Sequence, residues 1–393
     1  MNVAQIETLH ANAGWRNLSF LKITTDEGLV GYSEYNEPFG SKGTTAAIES
    51  MTELVKGTDP MAHGVTSSRL YATTRLARGG TNAQAIAAIE NALLDVKGKA
   101  LNLPVYELLG GKQRDTLKVY WSHCGTFRMN PTTARYINKP VITRTEDLIE
   151  LAAEVKEAGY TALKCNMYRF NKNDYFRGNS FGTNVMPREE SRNADADLLR
   201  DLVAQMSALR KGAGDDVDIL LDMNFSFKTE GFLRVIRALR PFDLFWFELD
   251  MFNPDALAYI RSQGDVPIAS CESLYGIRDF RPFFENQSVD VAIIDVPWNG
   301  AWQSFKIAAM ADAHEVNVAP HNFYGHLASA MSANLCAAVP NFRIMEIEVD
   351  DVPWKDDLVT HPPEITNGEY VMPNRPGWGT DVNEEAVRAH PPK

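Results

Sequence analysis

The chain has 393 residues, more than one hydrophobic core usually accommodates, so we expect a large domain accompanied by a smaller one. A net charge of −12 without any cluster of lysine and arginine argues against nucleic acid or an anionic membrane as a partner. No apolar run is long enough for a membrane helix, and no targeting segment is recognisable. The four cysteines lack CxxC spacing, which suits burial in a reducing cytoplasm. We therefore predict a soluble, cytoplasmic protein.

The first hundred or so residues predict a separate α+β unit. Two strand-like runs, 18–23 and 28–34, are joined by the turn Asp26-Glu27-Gly28, which is typical of a hairpin. Between 83 and 101 apolar residues recur every three or four positions, as on one face of an amphipathic helix. Gly110-Gly111 is expected to close that segment.

Beyond about Val119 short apolar runs alternate with helical ones, a pattern that indicates parallel strands joined by helices. One such helix is predicted at 146–158, with a capping box formed by Thr143 and Glu146. The predicted strands are 119–122, 161–166, 219–224, 244–248, 268–272, 291–295, 316–320 and 342–346. Eight strands permit a closed barrel, although an open doubly wound sheet has the same local pattern.

Two further segments complete the predicted organisation. The polar insertion 169–193 follows the second strand, and we predict a long loop or lid near the mouth of a site, with 13–17 and 38–43 as neighbouring loops. After about Asp350 a tail that contains several prolines is expected to return over the N-terminal unit. The predicted division is a capping domain at 1–118, a barrel domain at 119–350 and a returning C-terminal segment at 351–393.

Polar residues close successive predicted strands at separations of 23 to 26 residues, one in each strand-helix unit. These residues are Asp222, Glu248, Glu272, Asp295, His321 and Glu346. In a (β/α) barrel the carboxyl ends of all strands meet at one face, so residues with this spacing converge on a single site.

Three of these residues predict a metal site. Asp222, Glu248 and Glu272 would be carboxylates at neighbouring strand ends, which repel one another when they are unpaired. A hard divalent cation resolves that repulsion, and ligation by oxygen alone suits Mg²⁺ better than zinc. The alternative is that each acid caps a helix or forms a salt bridge.

The next two positions predict a proton-transfer pair. A carboxylate at Asp295 would orient the imidazole of His321 and raise its basicity. Lys164 ends the second strand on the same side as Asn166, where it could stabilise negative charge or act as a base if its pKa is lowered. Two histidines lack such support and are interpreted as structural: His123 and His326.

With these residues in place, the sequence resembles the mandelate racemase-like branch of the enolase superfamily over nearly its whole length. Residues 18–34 are similar to the family's capping-domain hairpin, and 88–100 with the turn at 108–111 to its helix and closing turn. The resemblance implies an α/β fold: a modified, enolase-like (β/α) TIM-type barrel with an α+β cap completed by the C-terminal tail. It implies the same metal ligands and acid/base pair, and a substrate contact by Glu346.

The sequence departs from the family at positions that bear on the chemistry. The family's Lys-x-Lys element is Lys164-x-Asn166 here, so an amide replaces the second-strand base. Asn224 occupies a position where some sugar-acid dehydratases carry a catalytic histidine. The family's Glu-Pro after the second metal ligand is Leu249-Asp250, and the glycine before the third is Cys271.

A racemase needs a base on each face of its substrate, and these departures leave only His321 and Lys164. We therefore expect a lyase that abstracts the proton α to a carboxylate and eliminates water from a sugar acid, with Asn166, Asn224 and Asn322 binding substrate hydroxyls. A cycloisomerase, a lactonizing enzyme or a racemase/epimerase is the alternative enzyme. A catalytically inactive carboxylate- or metal-binding protein is the alternative from another class. We also expect a homo-oligomer.

Overall fold

The computed structural model describes residues 1–39, 41–171, 174–175 and 193–392. The predicted lid at 169–193 therefore falls largely outside the described residues, as does Gly40 in the loop 38–43. None of the described helices combines the length and the apolar character that crossing a bilayer requires. All four cysteines are buried as free thiols, in agreement with the prediction.

The N-terminal unit is a three-stranded antiparallel sheet covered by helices. Its strands are β1 (Val3–Asn12), β2 (Asn17–Thr25) and β3 (Val30–Tyr35), and its helices are α1 (Thr44–Val55), α2 (His63–Thr74), α3 (Gly80–Leu101) and α4 (Val105–Leu108). The predicted hairpin is confirmed as β2 and β3. β1 gave no sequence signal because most of its residues are only partly buried, so it lacks an apolar face. A side chain at Gly31 would meet the backbone of α3, so glycine allows the sheet and helix to pack closely.

Eight parallel strands of the described chain form a closed barrel. They are β4 (Thr116–Trp121), β5 (Ala162–Asn166), β8 (Asp218–Asp222), β9 (Trp246–Glu248), β10 (Ile268–Ser270), β11 (Val291–Ile294), β12 (Asn317–Pro320) and β13 (Met345–Ile347). Neighbours pair in chain order, β13 pairs with β4, and Val318 bridges to Phe342 just before β13. These last two contacts close the sheet on itself and exclude the open doubly wound alternative.

Helices separate the strands on the outside of the barrel. They are α5 (Pro131–Tyr136), α6 (Asp147–Glu157), α7 (Ala196–Ala213), α8 (Thr229–Leu239), α9 (Pro254–Ser262), α10 (Gly276–Glu285), α11 (Val296–Asn299), α12 (Ala301–Asp312) and α13 (His326–Ala338). A two-stranded hairpin after β5 consists of β6 (Phe170–Asn171) and β7 (Asp174–Tyr175). Single 3-10 turns lie at Pro60–Ala62, Arg75–Ala77, Phe127–Met129, Arg240–Phe242 and Asp356–Leu358.

The capping box predicted for α6 is formed by a different acidic residue from the one predicted, Glu146. The Asp147 carboxylate, and not that of Glu146, accepts hydrogen bonds from the backbone N–H groups of Thr143 (2.8 Å) and Arg144 (3.2 Å). The helix begins at Asp147, one residue after the predicted start, so the side chain at that position faces the preceding turn.

The C-terminal segment returns over the N-terminal unit, as predicted. It contains β14 (Ile365–Thr366), β15 (Glu369–Val371) and α14 (Glu384–Ala389), and β15 pairs with the start of β4. Trp378 donates from its indole to the Tyr32 carbonyl (2.9 Å) and from its backbone to Asp95 (3.0 Å). The tail therefore completes the cap, while the domain boundaries at 118 and 350 stay a prediction.

Candidate active site

Strand alternation builds a polar mouth above an apolar barrel interior. Alternate strand residues, among them Tyr120, Leu220 and Trp246, form the buried interior layer. Side chains two residues further along a strand point to the same side, and so lie above that layer. Seven buried polar residues stand there: Ser122, Lys164, Asp222, Glu248, Asp295, His321 and Glu346. The sequence spacing thus predicted a real convergence of side chains.

Glu272 reaches the same mouth through an irregular turn. β10 ends at Ser270, and Cys271 has a left-handed φ of 92°. This conformation favours glycine, the residue of the resembled family at this position, and is strained for cysteine. The turn brings Oε2 of Glu272 to 3.6 Å from Nε2 of His321.

The three predicted metal ligands are buried acids with little local compensation. Asp222 and Glu248 are register partners on β8 and β9. Burial is the main cause that raises the pKa of Glu248 to about 7 and that of Glu272 well above its usual range. Oε2 of Glu272 accepts no hydrogen bond from any described residue. Closely placed carboxylates of this kind fit the oxygen donor set of a hard divalent cation.

The carboxylate oxygens are nevertheless engaged within the protein. Glu248 accepts hydrogen bonds from Lys164 Nζ (2.9 Å) and from the Trp246 indole (3.0 Å). Among the residues that the structure describes, no three acidic, histidine or cysteine side chains form a ready-made ligand cluster. The predicted ligands therefore fit Mg²⁺ in donor type and burial, and their joint coordination of one ion stays a prediction.

Asp295 and His321 form a close hydrogen-bonded pair. Nδ1 of His321 lies 2.7 Å from Oδ2 of Asp295, and the Tyr324 hydroxyl donates to the same oxygen at 2.5 Å. The other Asp295 oxygen accepts the backbone N–H of Trp298 at the start of α11. Burial would lower the pKa of His321, but the charges of Glu272 and Asp295 outweigh it and raise the pKa to about 10. The pair is thus fixed in orientation, with Nε2 directed toward the acidic cluster.

Lys164 and Glu346 form a second charged unit. Nζ of Lys164 lies 2.9 Å from Glu248 and 3.0 Å from Glu346. Burial opposes the charge of Lys164, but these two carboxylates outweigh it and hold the lysine pKa well above its usual range. Glu346 also accepts from the Ser122 hydroxyl and from the Asn322 N–H (2.6 Å). Both Glu346 oxygens are therefore bound inside the protein.

The three predicted substrate-binding asparagines lie in different surroundings. Asn166 donates to one oxygen of Asp222 (3.2 Å), and Asn224 donates to the other (2.6 Å). Asn166 is 7% exposed, and Asn224 is partly exposed. Asn322 is fully buried and donates to Ser329 (3.0 Å) and to a backbone carbonyl. Two of the amides thus hold a predicted metal ligand, and the third packs against α13.

Two groups at the mouth are absent from the predicted site residues. Asp250 is buried beside Glu272, with Oδ1 accepting from Ser270 (3.2 Å) and Oδ2 accepting from no described residue. His123 follows β4, and its Nδ1 lies 2.7 Å from Oε2 of Glu348. The sequence marks Asp250 only as a departure from the family, and its pattern favours a structural role for His123. The sequence could have indicated both residues through their position, because each lies within two residues of a predicted site residue or of a predicted strand end.

Aromatic side chains surround His321. The rings of Trp298, Phe323 and Tyr324 lie 5.4, 5.0 and 5.9 Å from the imidazole. Phe39, from the N-terminal unit, packs edge-on against Phe323 at 5.5 Å. The cap therefore contributes an apolar wall close to the imidazole, which limits the access of water.

Comparison with known proteins supports the architecture on both sides of this mouth. Residues 6–110 match the mandelate racemase / muconate lactonizing enzyme N-terminal domain, and 147–386 match the enolase C-terminal domain-like family. The D-xylonate dehydratase of Haloferax volcanii is 30% identical over 94% of this chain and 84% of its own length. The D-galactonate dehydratase of Pectobacterium atrosepticum is 28% identical over 98% of this chain and 94% of its own.

A solved structure is more similar still. A Burkholderia xenovorans protein, provisionally named L-alanine-DL-glutamate epimerase and bound to magnesium and fumarate, is 51% identical with a TM-score of 0.96. The match covers 100% of this chain and 96% of that one. The capped barrel and its acidic mouth define an enzyme of the enolase superfamily. Within it, the chain belongs to the mandelate racemase/muconate lactonizing enzyme family.

Proposed function

We propose that this enzyme is a Mg²⁺-dependent lyase that dehydrates a sugar acid. The observation that carries the proposal is the Asp295–His321 pair, which directs one buried imidazole nitrogen at a cluster of carboxylates suited to a cation. The relatives named as D-xylonate and D-galactonate dehydratases support a sugar acid as the substrate class. Asp222, Glu248 and Glu272 would hold the metal.

The bound cation supplies a positive charge that stabilises the negative charge developing on the substrate carboxylate. His321 takes the proton from the α-carbon through Nε2, while Asp295 holds Nδ1 and fixes the tautomer. Glu272 is the largest of the charges that raise the His321 pKa, so a cation held by Glu272 would offset that charge and favour the neutral imidazole that a base requires. Tyr324 donates to Asp295 and restrains its carboxylate. The nearby aromatic rings exclude water, so water does not compete with the substrate for Nε2 of His321.

Lys164 is an electrostatic partner in this proposal and not a base. Its two carboxylate contacts keep it protonated, and a protonated lysine cannot accept the α-proton. Its charge instead compensates Glu248 and Glu346. Asn166 and Asn224 position Asp222, and the partly exposed Asn224 also faces substrate hydroxyls.

An epimerase is the second candidate, because the 51% identical Burkholderia protein carries that provisional name. Both activities begin with loss of the α-proton and differ in the second step. Dehydration breaks a β-carbon–oxygen bond, whereas epimerisation returns a proton to the opposite face. The two are therefore separable in one experiment.

The test incubates the enzyme and Mg²⁺ in D₂O with D-xylonate, D-gluconate, D-galactonate and further sugar acids, followed by proton NMR. We expect loss of the α-proton signal together with formation of a 2-keto-3-deoxy acid from at least one substrate. His321→Asn should show neither change. His326→Asn, which replaces a partly buried histidine outside the mouth, should behave like the wild type. Inversion at the α-carbon without a keto acid would replace the dehydratase with an epimerase.

A further inference from the structure

A second histidine–carboxylate pair lies at the same mouth. Nδ1 of His123 is 2.7 Å from Oε2 of Glu348, and both side chains are almost completely buried. His123 follows the first barrel strand, β4, and Glu348 follows the eighth, β13. These strands pair with each other, so the fold itself brings the two residues together.

Both histidines contact one aromatic ring. Phe323 is 5.8 Å from the His123 ring and 5.0 Å from the His321 ring. Ser122, next to His123, donates to Glu346, which is paired with Lys164. His123 thus borders the same polar group of side chains as His321, but from the strands that lie nearest Lys164.

We infer that His123, oriented by Glu348, is the second proton-transfer residue of the site and protonates the β-hydroxyl that leaves. This inference rests on the proposed dehydratase function. With Asn166 and Asn224 in place of the alternative groups of the family, the sequence left His321 to serve as base, acid or both in turn, and the inference adds a separate acid. It also frees His321 to act as the base alone.

The protonation of the pair supports this direction of transfer. Burial lowers the pKa of His123 to about 4 and raises the pKa of Glu348 well above its usual range. The pair is therefore a neutral carboxyl donating to Nδ1 of a neutral imidazole, a tautomer that leaves the ring proton on Nε2. That N–H is the donor that a departing hydroxyl requires.

The step balances without any further reagent. His321 takes the proton from the α-carbon, and the electrons of that C–H bond pass into the substrate enediolate. They then form the double bond between the α- and β-carbons as the β-carbon–oxygen bond breaks. The departing oxygen takes the proton from Nε2 of His123 and leaves as water, while Nδ1 receives the proton of Glu348. The starting state returns when Nδ1 gives its proton back to Glu348 as Nε2 takes one from solvent, and His321 releases the α-proton to solvent.

The experiment compares leaving groups. The first sugar acid that the wild type dehydrates is assayed beside its 3-deoxy-3-fluoro analogue, because fluoride departs without a proton from an acid. In His123→Asn we expect turnover of the hydroxyl substrate to fall by about 10²–10⁴-fold, while fluoride release and α-proton exchange stay near the wild-type rate. Glu348→Gln keeps a donor to Nδ1 but has no proton to pass on, so it should show the same selective loss in weaker form.

The controls separate this role from folding and from the proposed function. His326→Asn removes a partly buried histidine that is paired with Asp356 outside the mouth, and should alter turnover of neither substrate. Equal loss of hydroxyl and fluoride elimination in folded His123→Asn and Glu348→Gln would make the pair structural and overturn the inference. Unchanged dehydration by both variants would also overturn it, with the dehydratase function intact. A wild type that epimerises carboxylates and dehydrates none would overturn both.

Discussion

The two histidine–carboxylate pairs at the mouth have the same hydrogen-bond distance and opposite shifts of the imidazole pKa. Each imidazole lies 2.7 Å from its carboxylate, yet the pKa of His321 is raised to about 10 and that of His123 is lowered to about 4. Burial lowers both. At His321 the charges of Glu272 and Asp295 outweigh burial, whereas at His123 burial prevails over the charge of Glu346, and the positive charge of Lys164 lowers the pKa further. Neighbouring charge, and not hydrogen-bond length, decides which imidazole is the stronger base.

The partners of the two carboxylates extend this contrast. The Asp295 carboxylate accepts hydrogen bonds from two donors besides His321, the Tyr324 hydroxyl and the Trp298 N–H. Glu348 has no such pair of donors among the described residues: its side chain pairs with His123, and Lys355 donates to its backbone carbonyl (2.9 Å). A carboxyl that is buried without donors retains its proton. The fold therefore holds a base and an acid in contact with the same ring, that of Phe323.

The largest effect should come from removing the base. His321→Asn is expected to abolish both α-proton exchange and product formation, a loss of about 10⁴-fold or more, because Lys164, the other basic group at the acidic cluster, is held protonated by Glu248 and Glu346. Exchange is measured by proton NMR in D₂O, with His326→Asn as the control. Retention of exchange with loss of product would reverse the roles and make Lys164 or His123 the base.

The partner of that base should matter almost as much. Asp295→Asn keeps a side-chain oxygen that accepts the Trp298 N–H, but it presents an amide to Nδ1 of His321 and so disturbs the His321 tautomer. We expect turnover to fall by about 10²–10⁴-fold. Mg²⁺ affinity, measured by calorimetric titration, should stay unchanged because Asp295 is not a proposed ligand. Glu90→Gln, which neutralises a buried carboxyl at the α3–α12 contact, is the matched control. Weaker Mg²⁺ binding in Asp295→Asn would contradict this separation of roles.

Regular spacing made one of the two pairs predictable and left the other hidden. Asp295 and His321 close successive strands in the 23-to-26-residue series, so strand alternation alone brings them together. His123 stands one residue beyond Ser122 in a turn with a φ of 44°, and its partner lies 225 residues away. Only the pairing of the first strand with the eighth makes them neighbours. That closure is a property of the whole barrel and has no local sequence pattern.

The same distinction applies to the individual site residues. The family resemblance implies a substrate contact for Glu346, and the sequence predicts one for Asn322; both stay predictions. In the structure their side chains contact Ser122, Lys164 and Ser329, and these contacts depend on how β4, β5 and α13 pack around them. Position along a strand can thus be predicted from the sequence, whereas the choice between facing a substrate and supporting a neighbour depends on tertiary packing.

A smaller effect should come from removing the buried charge of Lys164, which pairs with Glu248 and Glu346. Lys164→Met leaves Glu248 and Glu346 buried without their shared partner, which should lower the free energy of unfolding by about 3–5 kcal/mol. Lys118→Met, which breaks the partly exposed ion pair with Asp218, should cost at most about 1 kcal/mol. Chemical denaturation measures both. Equal effects of the two substitutions would show that the buried lysine is not held by its carboxylates.

The smallest effect concerns how stability depends on pH, and it tests the protonation assigned to the second pair. Between the ordinary pKa values of glutamate and histidine, 4.5 and 6.5, the unfolded pair carries one proton on the imidazole, and the folded pair carries one on Glu348, so their contributions cancel. Above 6.5 the unfolded pair has lost its proton while the folded carboxyl still holds one. The free energy of unfolding should therefore fall as pH rises, by up to about 1.4 kcal/mol per pH unit from this pair.

Glu348→Gln has no proton to lose and should remove that slope, as measured by denaturation from about pH 6.5 to about pH 8.5 against the wild type. Parallel stability curves for the two proteins would show that Glu348 is ionised in the fold, and His123 would then lack the proton that the proposed acid must deliver.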